Sequence, residues 1–161
     1  MQKARLWKSL GILAVLGLAI QIVPYGHART NPAVRKEPAW DGPATRELAV
    51  RACYDCHSNQ TVWPWYAKMA PVSWLIQNDV EDGRRKLNFS EWDRPQREAR
   101  AVTRRIQRGS MPPWYYVMMH SQAKLSDAEK QALVRGLQTI VTQDHPVPTR
   151  AEQRGGEGQE G

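Results

Sequence analysis

The sequence predicts an all-α fold: a domain of about four helices following an apolar N-terminal segment. Three observations lead there. Apolar residues recur at helical spacing in four stretches beginning near Leu48, Pro71, Ser90 and Ser126. No stretch offers a convincing strand. At 161 residues the chain has room for one domain plus segments outside it, and too little for two ordinary domains.

The first 23 residues read as a targeting segment, a signal anchor or a signal peptide. Lys3, Arg5 and Lys8 make a basic start, and Leu10 to Val23 is apolar apart from Gln21 and two glycines. Basic residues stay on the cytoplasmic side, so this polarity sends the remainder across the inner membrane to face the periplasm. Counting from Leu6 gives 18 positions, just enough to span a bilayer if Lys8 snorkels. Gly26-His27-Ala28 offers small residues to a signal peptidase, which would leave a soluble periplasmic protein. No Ala-x-Ala is present, and that favours the single-span anchor.

Residues 24–41 are rich in proline, glycine and charge without periodicity and read as a linker. Residues 144–161 end in Arg-Gly-Gly-Glu-Gly-Gln-Glu-Gly and read as a disordered tail. The folded unit is therefore expected over 42–143.

Its first helix follows Asp41-Gly42-Pro43 and carries Leu48, Ala49, Ala52, Cys53 and Cys56 on one face. The second starts near Pro71, carries Trp74, Leu75, Asn78 and Val80, and is expected to end near Gly83. The third takes Ser90 as N-cap with Asp93 three residues on, carries Ala99, Val102 and Ile106, and stops at Gly109. The fourth has a capping box in Ser126 and Glu129, then Leu133, Leu137, Ile140 and Val141 on one face. Trp63, Trp65, Tyr66, Trp74, Trp92, Trp114, Tyr115 and Tyr116 either fill the small core or wall a cofactor crevice.

Cys53-Tyr54-Asp55-Cys56-His57 is the most specific string in the chain. A C-x-x-C-H run is the attachment signature of c-type haem. Two thiols a helical turn apart can bond one edge of a flat macrocycle, and the adjacent imidazole can ligate its iron. Cys53 and Cys56 are thus the expected covalent attachment points of one haem c, and His57 the proximal ligand. Both cysteines of the chain are used, leaving no structural disulfide. Zinc would need four ligands, and the other histidines, His27, His120 and His145, are scattered. A thioredoxin-like pair would need a βαβ context.

For the distal side of the iron, Gly109-Ser110-Met111-Pro112-Pro113 follows the third helix, and two prolines hold the preceding side chain in a restricted backbone. Met111 is the expected sixth ligand and His120 the alternative.

These residues carry a family resemblance. Cys53 to Asn59, Trp63-Pro64-Trp65-Tyr66, Ala70-Pro71-Val72-Ser73-Trp74, Leu87-Asn88-Phe89-Ser90-Glu91-Trp92 and Met111-Pro112-Pro113 together resemble the bacterial haem-binding domain family of small membrane-tethered c-type cytochromes. The resemblance spans about 42–143 and implies a monohaem c-type domain on the periplasmic side. More loosely, the order C-x-x-C-H, Met-Pro, final helix is similar to ordinary cytochrome c, with a longer aromatic insertion between His57 and Met111. It implies a cytochrome c-like helical domain around one covalent haem.

The formal charge is +7, and +4 without Lys3, Arg5 and Lys8. That is too mild for a nucleic-acid binder, and such a protein would not follow an export segment. Arg84, Arg85, Lys86, Arg94, Arg97, Arg100, Arg104, Arg105 and Arg108 form a solvated face or a docking patch for an acidic redox partner or anionic lipid headgroups. The expected function is single-electron transport, with no catalytic constellation besides the haem. The rival is a haem enzyme or gas sensor, peroxidase-like, with an open or displaceable sixth position. Haem delivery or storage is disfavoured by covalent attachment.

Overall fold

The structure is a computed structural model that describes residues 2–147. The expected tail from 148 onward lies outside the described residues. Among these residues the fold is helical, as expected. The α-helices are α1 (Gln2–Ala19), α2 (Pro43–Ala52), α3 (Tyr54–His57), α4 (Val72–Lys86), α5 (Val102–Gln107), α6 (Trp114–Met119) and α7 (Asp127–Gln143). Short 3-10 turns lie at Ile20–Ile22, Trp65–Lys68, Ala99–Ala101 and Ser121–Ala123. The chain divides into two compact units, Met1–Thr30 with Trp63–Asp79, and Asn31–Val62 with Val80–Gly161.

In the first unit, α1 and its 3-10 extension give an apolar window, Arg5–Ile22, none of which is buried. Eighteen helical residues reach about 27 Å, close to the thickness of a bilayer's hydrocarbon core. The end of this helix is tied down. The Gln21 carboxamide donates to the Ala70 carbonyl at 3.0 Å and accepts from the Ala70 N–H at 3.0 Å. Gly26, in the left-handed region at φ +86, is seated on Ser73: a Cβ there would lie 2.8 Å from both the Ser73 carbonyl carbon and its Oγ. Arg29 Nη1 donates to the Ala67 carbonyl at 3.2 Å.

The second unit is built on α2 and α7. Both helix starts obey the sequence: Pro43 occupies the first turn of α2, and Ser126 and Glu129 close a reciprocal capping box on α7. Leu133, Leu137 and Ile140 of α7 are buried with Ala49 and Ala52 of α2. The two helices meet closely, since a Cβ on Gly136 would lie 2.3 Å from Thr45 Oγ1. An aromatic ladder continues the core: Tyr54 stacks on Phe89 at 5.8 Å and Phe89 on Trp92 at 6.1 Å. The stretch 31–41 lies along this core. Trp40 packs on Phe89 at 5.4 Å, and the Arg35 and Lys36 N–H groups donate to the Ser90 carbonyl. At the other end Asp144 accepts from the Ala39 N–H and from Trp92 Nε1.

Four element expectations need correction. The first helix breaks at Cys53, whose backbone (φ −127, ψ −34) leaves the α-helical region, so α2 and α3 are separate. The second helix passes through Gly83 to Lys86. A glycine near a helix end reads as a stop, but here it permits close packing inside the helix. No helix starts at Ser90. Its hydroxyl accepts from the Asn59 N–H at 3.0 Å, tertiary bonding replaces capping, and helical structure begins only at Ala99. The fourth difference is α6, a helix beyond the four expected: Pro113 precedes its first residue and supplies a ready start. The basic residues are accordingly spread over loop and helix. Arg94 pairs with Glu91 and Arg105 with Glu98, each at 2.7 Å, while Arg85 and Lys86 pair with Asp82.

Candidate haem site

The C-x-x-C-H string forms a turn between two helices. Cys53 still donates its N–H to Ala49 at 2.8 Å, and its own carbonyl accepts from the N–H groups of Cys56 and His57 at 3.2 and 2.9 Å. This places Cys53, Cys56 and His57 on one short turn. Neither cysteine is in a disulfide, and both residues are partly exposed. Burial pushes the Cys53 thiol up to about 12, so it is protonated at neutral pH.

His57 is oriented from behind. Its Nδ1 lies 3.1 Å from the Gly83 carbonyl and 3.0 Å from the Leu87 carbonyl. Both oxygens only accept, so Nδ1 carries the proton and Nε2 is left with its lone pair. Burial lowers the imidazole's pKa, against a smaller opposing effect from the two carbonyls, which keeps the ring neutral and able to bind metal.

One carbonyl comes from the last turn of α4 and the other from Leu87 just beyond it, and Gly83 lets them approach. A Cβ at Gly83 would lie 2.4 Å from the Cys56 carbonyl oxygen and 3.0 Å from its carbonyl carbon. The segment after α4 completes the support. Phe89 donates its N–H to the His57 carbonyl at 2.8 Å. Asn88 Nδ2 donates to Asn59 Oδ1 at 2.9 Å, while Asn88 Oδ1 accepts from the Ser90 N–H at 2.9 Å. Gln96 Oε1 accepts from the Asn88 N–H at 2.8 Å. These side chains are buried, and their bonds to one another satisfy them there. Arg84 adds a cation, donating through Nε to the Ser58 carbonyl at 2.8 Å and through Nη2 to Thr61 Oγ1 at 3.0 Å.

The segment carrying Met111 is fixed at its start. Gly109 has φ +69 and caps α5 by donating to Ile106 at 3.0 Å, and Ser110 donates to Arg105 at 3.0 Å. Met111 is partly buried, and the bond to Pro112 is cis. Beyond Pro113, α6 reaches the C-x-x-C-H turn through Tyr116, whose hydroxyl donates to Asp55 Oδ2 at 2.7 Å. Burial and then the Asp55 carboxylate raise the Tyr116 pKa, so the phenol keeps its proton. His120 stacks on the Tyr116 ring at 4.2 Å, with Nδ1 3.1 Å from the Tyr116 carbonyl.

Of the expected aromatic wall, Trp92 belongs to the core at 2% exposure, whereas Trp114 is 75% exposed. Leu87, Asn59, Asn88 and Asp55 had no individual role in the sequence, Gly83 was expected only to end a helix, and Tyr116 was one of eight aromatics for core or crevice. A glycine inside a helical pattern, and paired asparagines flanking the aromatic ladder, were the available signals.

The donor set suits a haem. Two cysteines outside any disulfide sit on one turn, and the neighbouring imidazole has one nitrogen committed to carbonyls and the other left with its lone pair. Residues 15–139 match the model of the Haem-binding domain family. No curated protein matches the chain, and no solved structure does. With most of its length matched, the chain belongs to the haem-binding domain family.

Proposed function

We propose that this haem-binding domain is a monohaem c-type cytochrome that carries single electrons on the periplasmic side of the inner membrane and is not itself an enzyme. The observation that carries the reading is the placing of Cys53 and Cys56, not joined in a disulfide, on the turn that also presents His57. Cys53 and Cys56 would form the two thioethers, and His57 Nε2 would ligate the iron. Bound haem supplies an iron centre that changes charge by one electron. The chain's part is to hold that centre still. The Gly83 and Leu87 carbonyls fix the imidazole tautomer, and the Asn59–Asn88–Ser90–Gln96 bonds stiffen the backbone around it.

Met111 is the proposed sixth ligand, supported by the capped turn that fixes the residues before it. His120 is the second reading. Its Nδ1 lies against a backbone carbonyl as that of His57 does, which orients the ring. The anchor reading of the N-terminus is supported by the contacts of Gln21 and Gly26, which cleavage after Ala28 would remove. The redox partner, of acidic surface, is unidentified.

Haem staining after denaturing electrophoresis tests the attachment. The wild-type band should stain, and Cys53→Ala and Cys56→Ala should each lose most of it. Oxidised and reduced absorption spectra test the ligands. A low-spin spectrum with the weak methionine-to-iron band, lost in Met111→Ala and kept in His120→Ala, is expected. A high-spin spectrum that shifts with carbon monoxide would instead identify an open sixth position and an enzyme or sensor. The mass of the membrane-extracted protein decides between anchor and cleaved signal.

A further inference from the structure

We propose that Tyr116 is a positioning residue, whose hydrogen bond to Asp55 locks α6, and with it the distal segment, to the attachment turn. The inference rests on the haem c reading above and adds to it a residue outside the expected ligand set. Asp55 is the last residue before Cys56, and its carboxylate is used on both oxygens. Oδ2 accepts from the Tyr116 hydroxyl at 2.7 Å, and Oδ1 accepts from the Val62 N–H at 2.9 Å. The Asp55 carbonyl accepts from Thr61 Oγ1 at 2.7 Å. The carboxylate is thereby fixed from the loop side, and a short, charge-assisted bond to it restrains the phenol.

Tyr116 reaches both candidate ligands from the other end. Its N–H and that of Val117 donate to the Pro113 carbonyl, each at 3.1 Å, joining α6 to the Met111-Pro112-Pro113 string. Its carbonyl accepts from the His120 N–H at 2.9 Å, and its ring lies against the imidazole at an interplanar angle of 17°. α6 is only six residues long, too short to be stable by itself, so a tertiary bond at its middle decides how firmly it is held. Whichever side chain completes the iron's coordination, Tyr116 sets the stiffness of the segment that delivers it.

Tyr116→Phe removes the hydroxyl and keeps the ring, so the stacking on His120 and the fold should survive. In the intact haem-loaded protein, amide exchange across 114–119 should quicken about tenfold, the worth of one charge-assisted bond, while α7 amides stay unchanged. Imidazole, added as a competing iron ligand, should bind about tenfold more tightly, a readout that a purely structural role elsewhere would leave alone. Asp55→Asn, which keeps one oxygen acceptor, should fall between wild type and Asp55→Ala. Wild-type exchange and wild-type imidazole affinity in Tyr116→Phe would overturn the proposal. Loss of haem from the wild-type protein on denaturation would overturn the c-type reading instead, and the exchange measurement would then judge Tyr116 alone.

Discussion

Asn88 shows how single residues hold this site. Its amide satisfies Asn59 on one side and the Ser90 N–H on the other, and all of these groups are buried. Asn88→Ala would strand an acceptor and a donor away from water, at a cost of about 3 kcal/mol. Chemical denaturation should show that loss, and Asn88→Asp should recover only the Ser90 half. Glu37 supplies a different kind of residue-level control. It accepts from Arg46 Nε and Nη2 at 2.8 Å each and from Trp40 Nε1 at 2.9 Å, and these bonds, Arg46 foremost, lower its pKa to about 2. A depressed carboxyl pKa stabilises the fold above the unfolded value of about 4.5, and that contribution is lost as pH falls toward 2. The melting temperature of Glu37→Gln should therefore lie below wild type at pH 7, and the gap should close in acid. A gap that persists unchanged at the acid end would contradict this assignment.

Among the elements, α4 and α7 each contain a glycine chosen for closeness. At Gly136 the nearest atoms are Thr45 Oγ1 and Cγ2, at 2.3 and 2.5 Å from an added Cβ. Gly136→Ala should cost about 2 kcal/mol, and adding Thr45→Ala should recover part of it, because both of those atoms disappear. At Gly83 the obstacle is the Cys56 backbone, so Gly83→Ala should reduce haem incorporation as well as stability, read together by haem-to-protein ratio and thermal melting. These elements also show what sequence periodicity can reveal. α7 was legible from start to finish, because its capping box and apolar face act within a single helix. α4 was misjudged at its end and the region after Ser90 at its start, because Gly83 and Ser90 answer to distant chain segments. Cys53, Cys56 and His57, which the fold sets on one turn, were legible as a motif. The carbonyls behind His57 were not, since backbone groups of Gly83 and Leu87 leave no mark in side-chain spacing.

For the whole molecule, the formal charge of +7 combines with an apolar window at Arg5–Ile22 long enough to cross a bilayer. Part of the basic surface is neutralised internally by Glu91, Glu98 and Asp82, which weakens the case for one large docking patch. Arg97, Arg104 and Arg108 remain exposed, and the proposed acidic partner would meet them. Electron transfer to such a partner should slow several-fold as ionic strength rises from low to physiological, measured by stopped-flow absorbance. A rate independent of salt would remove steering from the account. The same arginines explain why charge alone was a poor guide: a count of basic residues does not reveal which have acidic neighbours in the fold.

Gly83 and Gly136 also differ in how much variation they allow. A substitution at Gly136 meets a side chain, and a second change at Thr45 can make room for it, so the two positions can drift as a pair. One at Gly83 meets the main chain of the C-x-x-C-H turn, which no side-chain replacement can trim. In a saturation library selected for haem incorporation, position 136 should therefore return compensated pairs, and position 83 should return glycine alone.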